Sequence, residues 1–302
     1  MSIETLVKTT FSDTFRDELW KDLSAGKLLV PDFKKNIAIG DEVDCQFHDV
    51  ITLLDYKGGD LNIEDVEVAS LTTVKVKINK GKAVFFKLDE QKIRQIENAK
   101  TNEEKVKLVK EYSEDAREQF ARAVNDACCG EYVRAGHMVT NKDGSAINLT
   151  PENVNRLFAK AKAELKKGDG KGHTAWKDGE MLAIIDTDME AFMSVQKLLQ
   201  YSDVMAKHYK KGFAGTYLGF NVIVDDAIKK DENGNVFPLF GRSAKTMAGG
   251  VQDDMKLESG KKVGGFDTHY WGKGVFGVKA PLAYLLATAK VKADFQVEEA
   301  EV

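Results

Sequence analysis

The stretch that decides the fold is residues 101–130, with the sequence TNEEKVKLVKEYSEDAREQFARAVNDACCG. Thr101 followed by Glu104 matches a capping box, in which each side chain bonds the backbone amide of the other residue. Behind it, apolar residues return at three- and four-residue steps along one face, from Val106 to Ala127. The stretch therefore predicts a helix of roughly 40 Å. Its narrow apolar stripe is typical of a helix that lies across a structure instead of inside it.

Upstream of this helix, residues 31–88 have the two-residue period of strands. The clearest alternation sets apolar residues against lysines, with Val74, Val76 and Ile78 opposed to Lys75 and Lys77. Residues 79–82, Asn-Lys-Gly-Lys, predict a turn, and residues 83–88 predict a returning strand. A two-stranded ribbon is marginal alone in water. We therefore expect its apolar side to pack on protein, in this chain or in a neighbour, with the lysines on the other side.

The N-terminal residues 3–23 predict an amphipathic helix that ends at Gly26. Its apolar stripe contains Leu6, Phe11, Phe15, Leu19 and Leu23. No nearby sequence is an obvious cover for this stripe, and an uncovered apolar stripe commonly marks an interface. We therefore expect this arm to dock on a neighbouring subunit or on a scaffold.

Downstream, strands and helices alternate. Thr150 with Pro151 is a typical helix start, and the helix continues to Leu165. Residues 181–185 and 218–224 predict buried strands, and apolar strand character returns at 275–289.

The composition is that of a globular protein, with 43% hydrophobic and 30% charged residues over 302 positions. The 44 basic and 48 acidic residues give a net charge of −4. This balance argues against a dedicated nucleic-acid binder, although one local face could still contact DNA. The longest apolar run, residues 282–287, is far shorter than the roughly 20 residues of a membrane helix. Three cysteines make no disulfide framework, so we expect a reduced, intracellular protein.

Motifs for catalysis are weak. Asp186 and Asp188 follow a predicted strand and could hold a divalent metal, but Asp188 is better interpreted as the cap of a helix starting at Met189. Residues 272–277 match G-x-G-x-x-G. Nucleotide binding would require a helix at the end of that motif, which Pro281 would interrupt. The histidines have no metal spacing, so we predict no catalytic residue, no metal and no cofactor.

Two basic clusters could meet phosphate or an acidic neighbour, or could simply be solvated faces. One contains Lys75, Lys77, Lys80 and Lys82, and the other contains Lys160, Lys162, Lys166, Lys167 and Lys171. We favour solvated faces.

The order of these elements resembles the major capsid proteins of tailed bacteriophages, the Hong Kong 97 fold, over nearly the whole chain. Residues 270–281, Tyr-Trp-Gly-Lys-Gly-Val-Phe-Gly-Val-Lys-Ala-Pro, are similar to a C-terminal strand of that family. The resemblance implies an α+β fold, in which the glycines bend a peripheral strand. It divides the chain into an N-terminal arm (1–30), an extended loop (31–88), a peripheral domain with a spine helix (89–140 and 245–302) and an axial domain (141–244).

Three hypotheses follow. The first is a non-enzymatic capsid protein whose hexamers and pentamers enclose double-stranded DNA in an icosahedral head. The second is an encapsulin-like shell around a cargo enzyme, and the third is a soluble metal-dependent enzyme using Asp186 and Asp188. The capsid hypothesis implies assembly in the bacterial host cytoplasm and no contact with a membrane. The partners that it implies are scaffolding, portal and decoration proteins. Its predicted assembly interface contains Phe11, Phe15, Leu19, Val74, Val76, Ile78, Lys75, Lys77 and Lys80.

Overall fold

The structure is a computed structural model of the 302-residue chain. It describes residues 7, 8, 11, 19, 21–30, 33–34, 38–48, 71–88, 90–99, 101–170, 174–209, 212–252, 255–261 and 268–292. Phe15, the tip of the extended loop and the acidic C-terminal residues lie outside these ranges.

The helices are α1 (Glu90–Asn98), α2 (Asn102–Gly130), α3 (Pro151–Lys167), α4 (Thr187–Val195) and α5 (Asp203–Tyr209). The strands are β1 (Phe33–Lys34), β2 (Glu42–His48), β3 (Leu71–Lys77), β4 (Lys80–Leu88), β5 (His137–Val139), β6 (Ile147–Asn148), β7 (Met181–Ile185), β8 (Phe213–Tyr217), β9 (Phe220–Val224), β10 (Asn235–Val236), β11 (Leu239–Arg242), β12 (Ala248–Gln252), β13 (Leu257–Lys261), β14 (Thr268–Lys279), β15 (Leu286–Ala289) and β16 (Val291–Lys292). Short 3₁₀ turns occur at Ala25–Leu28, Glu131–Arg134 and Ala283–Leu285.

The predicted long helix is confirmed as α2. Thr101 Oγ1 accepts a hydrogen bond from the Glu104 backbone amide at 3.2 Å, and the Glu104 carboxylate accepts one from the Thr101 amide at 3.4 Å. This capping box satisfies amides that the first helical turn would otherwise leave without partners. The predicted start of α3 is confirmed as well, since Thr150 caps it and Pro151 is its first residue.

A five-stranded sheet packs on α2. Its order is β1-β12-β14-β13, and β4 pairs antiparallel along β14. Phe120 of α2 contacts β14 through the edge of its ring, at 5.5 Å between ring centroids from Phe276. Gly274 lies under Phe120, where an added Cβ would come within 2.6 Å of the ring. Gly274 thus permits close approach of α2 to the sheet.

The pairing of β4 overturns the predicted turn at residues 79–82. Strand β3 pairs antiparallel with β2, whereas β4 pairs with β14, so β3 and β4 do not form a hairpin. The chain leaves the two-stranded ribbon β2–β3 and continues into the larger sheet. The nine-residue register with β14 offers β4 far more backbone hydrogen bonds than a short return along β3.

A six-stranded sheet of order β5-β15-β11-β7-β9-β8 forms the centre of the second half of the chain. Strand β7 is buried at all five positions, as the apolar run at 181–185 predicts. Helix α3 packs on this sheet through Phe158, whose ring meets Phe220 and Phe240 edge-on. The division into arm, loop, peripheral and axial domains stays a prediction, and the pairing adds that residues 286–289 belong to the sheet of 181–242.

Candidate assembly surfaces

The described residues of the N-terminal arm do not present an open apolar stripe. Phe11 and Leu19 are fully buried within their own subunit, in the main core. The ring of Phe11 stacks on Phe86 of β4, and Ser113 Oγ of α2 donates a hydrogen bond to the Phe11 carbonyl at 3.0 Å. Phe11 and Leu19, which the sequence predicts at an interface with a neighbouring subunit or a scaffold, are thus covered by the core of their own chain. A helix face specifies that something must cover it, but not which surface does so.

The end of the arm is fixed by buried polar groups. Asn125 Oδ1 of α2 accepts hydrogen bonds from the backbone amides of Ser24 and Gly26, at 3.2 and 3.0 Å. Asp225 Oδ2 accepts hydrogen bonds from the Ser24 hydroxyl and from the Ala25 amide. These bonds join the arm to the spine helix and to the end of β9, so the arm is an integral part of the subunit.

The ribbon has the predicted two faces, but its apolar face is occupied. Val76 and Ile78 are buried, and Val74 is half-buried. They pack within the subunit in a small second cluster with Val43, Cys45, Ala248 and Val275. A charge placed at Val76 would consequently be buried in the subunit itself, so such a variant would report on folding and not on assembly.

The predicted lysines are on the surface. Lys75, Lys77 and Lys80 are exposed, and Lys75 Nζ lies 3.9 Å from a Glu42 carboxylate oxygen. Lys75 and Lys77 share the solvent face of the ribbon, whereas Lys80 begins β4. Their contact with a neighbour stays a prediction.

Sequence periodicity missed several large apolar side chains that are open to solvent. Phe85 is 67% exposed and stands opposite Trp271 across the β4–β14 pair. Tyr201, two residues before α5, and Val204, in its first turn, are 70% and 74% exposed. The signal for Phe85 was the unbroken Val-Phe-Phe run at 84–86, in which alternation places one aromatic ring on the outer face.

The two candidate metal ligands contact a lysine. Asp186 Oδ1 accepts a hydrogen bond from the Met189 amide at 3.2 Å, so Asp186 caps α4. This corrects the assignment of the cap to Asp188, because the helix begins two residues earlier than predicted. The Lys230 ammonium lies 3.8 Å from Asp186 and 3.4 Å from Asp188. A cation of the chain itself thus lies where a metal ion would have to bind and offsets part of the negative charge of the two carboxylates.

Asp186→Ala is expected to lower the free energy of unfolding by about 1 kcal/mol, because the α4 amides lose their cap. Asp186→Asn keeps an oxygen acceptor and is the matched control, with a smaller loss expected.

Burial is the main cause that raises the pKa of Asp186 above its ordinary 3.8. The folded state therefore binds this proton more tightly, and stability falls as the pH rises from the unfolded value through the raised pKa. Urea titrations between pH 4 and 7 measure both effects, and equal losses in the two variants would contradict the cap.

The remaining motifs have structural explanations. The G-x-G-x-x-G match lies inside β14 and precedes no helix, so it has no phosphate-binding geometry. Cys128 and Cys129 are buried, and burial is the main cause that raises the pKa of both thiols. Within the described ranges, no group of three or more His, Cys, Asp or Glu side chains is placed to hold a metal ion. No described helix is long and apolar enough to span a membrane.

Comparison with known proteins gives one consistent picture. No protein-family model and no curated protein matches the sequence. The structure is similar to the capsid of Ralstonia phage GP4, with a TM-score of 0.61 and 10% identity over 91% of this chain and 90% of that chain. It is also similar to the head of Helicobacter pylori bacteriophage KHP40, with a TM-score of 0.57 and 8% identity over 91% and 92%. A third match is the capsid of an empty GTA particle, with a TM-score of 0.52 and 12% identity over 89% and 90%.

Proposed function

We propose that this chain, which has the α+β Hong Kong 97 fold of phage capsid proteins, is the major capsid protein of a tailed bacteriophage. The observation that carries the proposal is the match of about nine-tenths of the chain to phage capsid and head structures. Copies of the chain form hexamers and pentamers, and these close an icosahedral head around double-stranded DNA. The role is structural and not enzymatic, and the protein resides in the virion.

The surface of the subunit supports contacts between copies. Phe85, Tyr201 and Val204 are large apolar side chains that the single subunit leaves open to solvent, and we assign them to contacts between copies. Lys75 and Lys77 face outward on the ribbon and supply charge to the same contacts. The net charge of −4 is small for 302 residues, so copies repel one another only weakly.

The direct test is electron microscopy and sedimentation of the purified protein. We expect closed particles of uniform diameter, alone or with a scaffolding protein expressed beside it. A soluble enzyme of this length would sediment as a small oligomer. Nucleic acid in particles isolated from the natural source supports a genome-filled head, whereas a packaged enzyme would indicate a nanocompartment shell. Assembly in the host cytoplasm, the portal and the decoration proteins belong to the same proposal.

Val204→Glu is expected to prevent or strongly reduce particle formation, because it places a charge in a contact between copies. The free energy of unfolding of the monomer should stay within about 0.5 kcal/mol of the original, since the side chain is exposed. Ala163→Glu is the matched control, because it adds the same charge at an exposed position of α3. Sedimentation of both variants measures the effect. Intact particles from Val204→Glu would mean that α5 does not lie in the interface between copies.

A further inference from the structure

A groove runs between the start of β4 and the face of α2. Along β4, Val84 and Phe86 point towards α2 and are half-buried, and the two-residue period places Lys80 and Lys82 in the same row. Between Val84 and the start of β4, the side chains of this row are exposed, and the space between sheet and helix opens to solvent. The open part has a volume of about 760 Å³, with Phe276 at its base.

The lining of this groove is polar and basic. From β4 it receives Lys80 and Lys82, and from α2 it receives Gln119, Arg122 and Asp126. The three α2 residues are three and four positions apart, so they share one helix face. The single carboxylate among them, Asp126, is already paired with the Lys229 ammonium.

Three cations of the groove have no balancing charge. Among the residues that the structure describes, Lys80, Lys82 and Arg122 form no ion pair and no hydrogen bond, and all three are exposed. Elsewhere on the surface, basic side chains commonly meet a carboxylate, as Arg156 meets Glu152 at 2.6 Å. Three unpaired cations on two facing elements of a concave site make a local positive field, although the chain as a whole is acidic.

We propose that this groove, defined by Lys80, Lys82 and Arg122, binds the phosphate backbone of double-stranded nucleic acid. The inference rests on the proposed function, which places a nucleic acid inside the shell, and it names the surface that contacts it. A polyanion suits this lining because Lys and Arg neutralise phosphates without reading base sequence. Arg122 adds a planar fork that matches two phosphate oxygens. An apolar protein segment suits it less well, since six of the nine lining residues have polar or charged side chains.

The test uses the full chain and a 20-base-pair duplex, with binding followed by fluorescence anisotropy from 50 to 200 mM salt. The variant combines Lys80→Gln, Lys82→Gln and Arg122→Gln. The loss of three phosphate contacts should reduce the slope of log K against log salt by about 2.7. The matched control combines Lys142→Gln, Lys197→Gln and Lys245→Gln, which are exposed positions outside the groove. Both variants change the net charge from −4 to −4 − 3 = −7, so a difference between them reports the site.

The outcomes separate clearly. A slope reduced in the groove variant and preserved in the control supports the proposal. Equal reductions would mean that only net charge matters, and an unchanged slope would mean that the groove binds no nucleic acid; either result overturns the site. Unchanged binding together with lost particle formation would assign the groove to an acidic segment of a neighbouring copy, which also overturns it. Thermal melts of both variants verify folding, and particle formation by the unmodified chain tests the proposed function separately.

Discussion

Deletion of residues 1–25 is expected to unfold the monomer or to lower its melting temperature severely. The deleted segment contains Val7, Phe11, Leu19 and Leu23, all of which are buried. Each buried side chain of this size stabilises a protein by roughly 1.5–3 kcal/mol, so four contribute about 6–12 kcal/mol. The whole stability of a domain is about 5–15 kcal/mol. The arm therefore accounts for a large share of the stability of the subunit.

Circular dichroism melts of the truncated monomer measure this effect. Phe11→Ala is a milder companion variant that keeps the chain length, and it should cost about 3–5 kcal/mol because its ring leaves a cavity beside Phe86. A truncated protein that melts like the original but cannot close particles would contradict the buried arm. That result would mean that the arm lies at an interface between subunits, as the sequence predicts.

Phe120→Ala is expected to lower the free energy of unfolding by about 3–5 kcal/mol, as large-to-small changes in a core do. The ring is 1% exposed and fills the space directly above Gly274, between α2 and β14. Neither backbone can close that gap easily, because the helix and the sheet are fixed by their own hydrogen bonds. The loss should therefore include a cavity contribution in addition to the lost burial.

Phe85→Ala is the matched control for Phe120→Ala, since it removes the same ring from an exposed position of β4. Its free energy of unfolding should change by no more than about 0.5 kcal/mol. Urea titration of the two variants gives both values. Similar losses at the two positions would mean that the assigned inner and outer faces are incorrect.

The sequence predicts those parts of the fold that depend on short-range chemistry. The capping box at Thr101, the start of α3 at Thr150 and the buried strand at 181–185 all follow from neighbouring residues, and the structure contains them. The Hong Kong 97 fold is predicted from the order of the elements along the chain, and the similarity to capsid structures over about nine-tenths of the chain confirms it.

The parts that could not be predicted depend on long-range pairing. Alternation identifies the inner face of the ribbon at Val76, but not the strands β12 and β14 that cover it. In the same way, the sequence of residues 79–82 permits a hairpin, and the competing partner β14 lies almost 200 positions away. The exposed state of Tyr201 and Val204 depends on the surrounding fold, so composition could not indicate it.

The placement of β15 sets an order of events during folding. This strand lies between β5 and β11, and its parallel register joins Ala287 to His137, a separation of 287 − 137 = 150 positions. During synthesis β5 emerges about 150 positions before its partner β15, whereas β11 precedes β15 by only 286 − 242 = 44 positions. Closing such a long loop is slow compared with forming local helices. The sheet is therefore completed only after β15 has been made, and until then the facing edges of β5 and β11 lack their partner and are open to pairing with other chains.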